Sequence, residues 1–414
     1  MNPRIIIFFL LTGSYLGFYL AFPIFPTLFL NENFAFFTRT SSLGLGNIIL
    51  GFTYACYYIG SFLGTPIIGS LSDKYGRKKI LASTFFICGI MYLLSGLSLK
   101  LSNLPLLVVL RFFTGFFDGC YSLAYSTLLS LEKKEKLKTN HLEFWSSIFI
   151  NLGWITGSYV GWNLIGATNL NLSNLSFSFF GSSLIYTLCF LLIVLFYKED
   201  SNLELTNLNK KINFLRILNV FKKSGLTPIF ISNSTFYAAS FIFTSYIPIF
   251  LMNRHKLEAC SIATIESFLS ISYCFAPFTY WIYSKRFCRK KIMLISSLGT
   301  FLSLILFMLF QFKSQFWVFI FLISYFSALG FSFSSFLVAD HSPEDEYGEA
   351  LGISQSLFTF IEAFMSLFIG LLAAAWIYLP IILSLFFAFI SSVWILAKLL
   401  DHPIYRRLTS YLQK

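Results

Sequence analysis

Arg111 and Asp118 stand seven residues apart within a long apolar run, Leu104 to Leu131. Seven residues make two turns of a helix, so both side chains fall on one helix face. Charges at that depth are costly and face a cavity or a partner. A carboxylate that exchanges between neutral and charged forms can carry a proton, so Arg111 and Asp118 are candidates for proton coupling; a structural ion pair is the plainer alternative. Two more acids share an apolar setting, Glu362 near the middle of its run and Glu266 nearer an end, where water is expected to reach it. Gln355 lies seven residues before Glu362, on the same face. Glu362 joins Arg111 and Asp118 as a coupling candidate. With Glu266 and Gln355 it is also a candidate wall of a substrate cavity. Tyr15, Tyr19, Tyr125, Asn151 and Tyr237 are the aromatic and amide candidates for the rest of that wall. In a chain that is 20% aromatic, each serves packing equally well. An acidic, aromatic cavity suits a cationic amphipathic molecule.

The second group with chemical potential is the string Gly69-Ser-Leu-Ser-Asp-Lys-Tyr-Gly-Arg-Lys-Lys79, flanked on both sides by apolar runs. Gly69 is expected to permit close helix approach, and Gly76 a sharp turn. Asp73 can accept hydrogen bonds at the N-terminus of a facing helix, where the helix dipole favours negative charge. Arg77 needs a carboxylate, for which Glu132 is the candidate, and Lys78 completes the set. The cations alone would make an anchor at a membrane surface; Gly69, Asp73 and Gly76 ask for a gate.

The elements that must position these residues are membrane helices. The chain is 57% hydrophobic and 12% charged, with 53 phenylalanines, against roughly 25% charged in a soluble domain. About 20 apolar residues span the hydrocarbon. Twelve runs reach that length, at 5–30, 47–71, 80–100, 104–131, 142–166, 177–197, 226–252, 261–284, 292–312, 316–339, 349–375 and 379–400. They are too long for barrel strands and do not alternate. The first is too long for a signal-peptide core and is expected to be retained. With the N-terminus inside, 24 of the 30 cations fall on cytoplasmic segments and 5 on outer loops, which predicts both termini in the cytoplasm. Cations scattered over short loops argue against nucleic acid as the reason for the +12 net charge.

The polar stretch 198–225 divides the runs into two groups of six and is read as a linker on the anionic inner leaflet. The expected organisation is therefore a bundle at 1–197, the linker, a second bundle at 226–400 and a tail at 401–414. The halves echo one another: Pro66 precedes Arg77-Lys78-Lys79 as Pro277 precedes Arg289-Lys290-Lys291, although Ser284 stands where the first half has Asp73. Seven cysteines and four histidines show no ligand spacing, so neither a metal site nor a disulfide frame is predicted.

The string Gly69-x-Leu71-x-Asp73-x-x-Gly76-Arg77-Lys78 resembles the signature loop between helices 2 and 3 of the major facilitator superfamily. Arg111-x-x-x-Gly115 is similar to the helix 4 motif of its proton-driven members. The acidic junction Asp340 to Glu349 resembles that of the tetracycline and multidrug exporters. Asn151-Leu-Gly153 to Gly161 resembles the exporters' helix 5 signature, but Ser158 replaces its proline and Trp162 its last glycine. The resemblance implies an all-α polytopic fold of twelve transmembrane helices in two pseudo-symmetric six-helix bundles. It implies an alternating-access carrier in which the 69–79 loop holds the inner side closed. The expected activity is proton-coupled efflux of a small drug-like molecule from a bacterial inner membrane. Import of a metabolite or siderophore is the alternative. A polytopic enzyme or receptor has no support, since no nucleotide loop or sizeable soluble domain is visible. The partners implied are a small molecule, protons and the bilayer. No cofactor and no obligate protein partner are indicated.

Overall fold

In hydrocarbon a backbone amide has no water to bond, so each long apolar run closes its hydrogen bonds along its own axis. The computed structural model describes residues 3–31, 34, 43–135, 139–165, 171–198, 227–255, 260–310, 315–341 and 347–399, and among these the regular structure is helical throughout. The helices are α1 (Pro3–Ala21), α2 (Ile24–Leu30), α3 (Leu43–Tyr75), α4 (Arg77–Lys100), α5 (Leu104–Phe117), α6 (Gly119–Glu135) and α7 (Thr139–Ile165). Then come α8 (Leu172–Phe196), α9 (Thr227–His255), α10 (Cys260–Arg286), α11 (Arg289–Leu309), α12 (Phe316–His341), α13 (Tyr347–Ala375) and α14 (Leu379–Trp394), closed by a π-helical turn, Ile395–Leu399. The expected linker beyond Lys198 and the tail at 401–414 lie outside the described residues.

Two of the expected runs are broken. The first divides into α1 and α2 at Phe22-Pro23, where proline supplies no amide donor. The fourth divides into α5 and α6 at Asp118. The second run extends beyond its expected end at 71: α3 continues through Asp73 to Tyr75, and the turn falls on Gly76 alone. Its φ of 93° is open to glycine and strained for other residues.

Among the described residues, eleven helical stretches are long and apolar enough to cross a membrane. The twelfth, α7, carries Asn151, Thr156, Ser158 and Asn163. It meets α1 along Gly153, Gly157 and Gly161, where a β-carbon would run into Thr12, Leu16 and Leu20. A span held by neighbouring helices needs less apolar surface of its own. Large apolar side chains, among them Leu184, Leu195, Phe278 and Leu309, stand exposed over the helical surface. Such a belt would be a liability in water and is what lipid requires.

Contacts divide the described residues into two compact units: one draws on Met1–Ile212, Ile247–Ile271 and Glu362–Ile377, the other on Asn213–Tyr246, Ser272–Ile361 and Tyr378–Lys414. In the first, Tyr92 stacks on Tyr186 between α4 and α8 at 5.1 Å. The ends of α10 and α13 remote from the basic hairpins also pack here. Ser270 Oγ donates to Asn151 O at 3.0 Å, and a β-carbon at Gly51 of α3 would stand 2.6 Å from Ser366 O and 2.9 Å from Gly370 Cα of α13. In the second unit, Ile229, Phe230, Phe236, Met293, Leu337, Val338, Ile353 and Ile395 form one core. Serines stitch its helices together: Ser297 and Ser392 lie 2.8 Å apart, and Ser384 donates to Ala239 O at 2.7 Å.

Candidate proton and substrate site

Asp118 ends α5, its amide bonded to Thr114 O at 3.0 Å and Gly115 O at 3.1 Å. Gly119 then opens α6 with its α-carbon face against Ile68 of α3. The break turns the carboxylate toward α3 and α8, where three groups donate to it. The Tyr57 hydroxyl donates to Oδ2 in a short bond. The Tyr186 hydroxyl donates to Oδ1 at 3.0 Å, and the Cys120 thiol to the same oxygen at 3.7 Å.

Arg111 is 1% exposed. Its guanidinium lies 4.6 Å from the Tyr57 ring centroid, 4.8 Å from Phe25 and 5.9 Å from Phe18. Among the described residues its Nε and Nη1 have no hydrogen-bond partner, and neither has the nearby hydroxyl of Tyr54. A desolvated cation on an aromatic face gains about 2 kcal/mol. Each buried donor left unmade costs about 1–3 kcal/mol. The cation is thus held by ring faces and offers free donors to an anion. Tyr57 connects the two charges, its face on Arg111 and its hydroxyl on Asp118.

The candidate wall residues of the first unit join in a ladder. Tyr125 stacks with Tyr121 at 6.3 Å, Tyr121 meets Tyr15 at 5.0 Å, Tyr15 stacks on Tyr19 at 6.0 Å, and Tyr19 stacks on Trp154 at 4.8 Å. The Trp154 indole then donates from Nε1 to Glu266 Oε2 at 3.1 Å. Asn151 sits one turn from Trp154, bonded to Ser270. Glu266 is 2% exposed, not wetted as its position suggested, because α10 is pressed against α7 there. Glu362, half-buried on α13, lies within electrostatic reach of Tyr15, Tyr58 and Tyr121. Tyr237 and Gln355 belong to the second unit, where Tyr237 stacks on Phe358 at 4.2 Å.

At the basic hairpin, Arg77 Nη1 donates to Ser126 O of α6 at 3.4 Å, and Lys78 Nζ donates to Val194 O of α8 at 3.2 Å. The side chains of Asp73 and Glu132 lie outside the described residues. Among the described residues, a β-carbon at Gly69 meets nothing within 4 Å. α3 touches α5 about one and a half to two and a half turns earlier, with Gly60 and Gly64 against the Phe112 and Phe116 backbone.

Tyr57, Tyr186 and Trp154 were not singled out from sequence. Tyr57 and Asp118 are 61 residues apart, and a tyrosine in a chain with 22 of them carries no mark. Cys88, Cys120 and Asp118 bring one donor atom each within 4.8 Å of one another, a grouping equally invisible in linear spacing. In this geometry the Cys120 thiol is engaged by the carboxylate.

A helical membrane carrier with a buried charge cluster is the class that fold and site define. The family model of the Major Facilitator Superfamily matches residues 7–285 and 261–410. The chain belongs to that superfamily and is a multi-pass membrane protein. The fold is shared with the human organic anion transporter MFSD10 (TETRAN), at a TM-score of 0.72 and 14% identity over 95% of this chain and 98% of that one. It is also shared with a D-xylose-proton symporter, at 0.71 and 15% identity over 95% and 96%.

Curated relatives are of two kinds. A class H tetracycline resistance protein of Pasteurella multocida is 30% identical over 49% of this chain and 46% of its own length. The 4-hydroxybenzoate transporter PcaK of Pseudomonas aeruginosa is 34% identical over 30% of this chain and 27% of its own. The matches therefore span less than half of each relative.

Proposed function

We propose that the protein is a proton-coupled exporter of a small amphipathic molecule, working by alternating access, with Asp118 as a proton carrier. The observation that carries this reading is the Arg111–Tyr57–Asp118 cluster. A charged Asp118 accepts from both tyrosine hydroxyls. A protonated one carries a hydrogen on one oxygen, so the hydrogen bond at that oxygen must reverse or break. Tyr57 is on α3, whose far end packs on α13 through Gly51 and Gly370. The proton would thus bias one helix whose position bears on the remote contact, which is what coupling requires. Glu362 serves as a second coupling acid.

The substrate path is read along the ladder of Tyr125, Tyr15 and Tyr19 to Asn151, Glu266 and Glu362, with Tyr237 and Gln355 on the other half. The bundles are assigned to 1–197 and 226–400, joined by 198–225 and followed by the tail at 401–414. Both termini are assigned to the cytoplasmic side of a bacterial inner membrane. The hairpin Gly69, Asp73, Gly76, Arg77 and Lys78, with Glu132, is assigned to the inner gate.

A second reading has one specific observation in its favour. The free donors of Arg111 would suit an aromatic carboxylate, and the relatives include 4-hydroxybenzoate transporters. Inverted vesicles with an imposed pH gradient separate the two. An exporter concentrates labelled tetracycline in an acidified lumen. An importer concentrates labelled 4-hydroxybenzoate only when the lumen is the alkaline side.

A further inference from the structure

A cavity of about 600 Å³ opens between the basic N-terminal end of α4 and the C-terminal end of α8, away from the charge cluster. Its mouth carries Lys78 and Lys79, and its wall is built from Ser83, Phe86, Phe190 and Val194. Phe86 is 46% exposed and Val194 45%, so the wall faces the surrounding medium, which in a multi-pass protein at this level is lipid. Seven residues of α4 separate Lys79 from Phe86, about 10 Å along the helix axis. The two ammonium groups thus stand at the head of an apolar groove that runs down toward the hydrocarbon. Lys78 is held there by its bond to Val194 O near the end of α8, while Lys79 is exposed.

We propose that this groove is a binding site for an anionic phospholipid, its phosphate between Lys78 and Lys79 and one acyl chain along Phe86 and Phe190. Charge decides the occupant. A zwitterionic headgroup brings its own cation to two lysines already close together. A soluble phosphate would satisfy the lysines and leave the apolar wall bare. The inference is independent of the direction of transport and of the assignment of Asp118.

Native mass spectrometry of the purified full chain tests it. Phosphatidylglycerol and phosphatidylcholine with the same acyl chains are added in competition, and glycerol 3-phosphate is added alone. The expected result is one phosphatidylglycerol retained per chain, at least tenfold in preference to phosphatidylcholine. Lys79→Gln should abolish the preference. Ser83→Trp, which fills the groove and leaves both lysines, should abolish retention. Both variants are checked by thermal melting, and if one fails to fold the other decides. Equal retention of the two lipids by the parent would overturn the proposal. So would retention unchanged in the folded variants, or retention of glycerol 3-phosphate added alone, which would mark a phosphate site only.

Discussion

Tyr57 carries two interactions with different chemistry, and a single atom separates them. Tyr57→Phe removes the hydroxyl that donates to Asp118 and keeps the ring face under Arg111. The loss of one hydrogen bond to a charged group is about 1.5–3 kcal/mol, too little to unfold a large helical bundle. Accumulation driven by a pH gradient should fall at least tenfold in this variant, while exchange of labelled for unlabelled substrate at equal pH persists. Measuring both in the same proteoliposomes checks it. A variant that concentrates substrate as the parent does would separate Tyr57 from coupling. Arg111 and Asp118 were legible in the sequence because a charge in an apolar run stands out against its surroundings. Tyr57 was not: its role arises only when α3 and the end of α5 are brought together.

At the scale of the helix, close approach and open space make opposite demands on glycine. A β-carbon at Gly157 would stand 2.7 Å from Leu16 O, backbone that cannot move aside. Gly157→Leu should therefore destabilise the protein by at least the ~1–3 kcal/mol typical of overpacking. Gly69→Ala, placed in open space, should melt with the parent. Thermal melting in one detergent compares them directly, and equal melting of all three proteins would refute the α1–α7 seam. Hydropathy located the helices well because length and apolarity are set by the bilayer. It missed the breaks at Pro23 and Asp118, which depend on one residue each. The 69–79 string pointed to Gly69 as the close contact of α3, while among the described residues that contact falls at Gly60 and Gly64. α7 was found as a run despite its polar content, and its reason for being polar, the packing on α1 and α10, is tertiary.

At the scale of the molecule, residues far apart in sequence are joined at the ends remote from the basic hairpins. Asn151 meets Ser270, and Trp154 meets Glu266. In an alternating-access carrier such joints must part in one half of the cycle. A short cross-link between Asn151→Cys and Ser270→Cys, in a background lacking the native cysteines, should form readily and stop transport. Reduction should restore it. Transport that continues with the link intact would mean these helices do not separate during the cycle. The sequence carried the family, through the 69–79 string and the spacing of Arg111 and Gly115. The pairing of α7 with α10 left no trace in it, because each helix contributes only ordinary polar residues to the joint.

The proposed cycle turns on a proton carried by Asp118. Its most direct test is accumulation of labelled tetracycline and of labelled 4-hydroxybenzoate by proteoliposomes under an imposed pH gradient, for the parent and for Asp118→Asn. The parent should concentrate one of the two probes, and Asp118→Asn should concentrate neither while still exchanging that probe across the membrane at equal pH. An Asp118→Asn protein that builds the same gradient as the parent would contradict it.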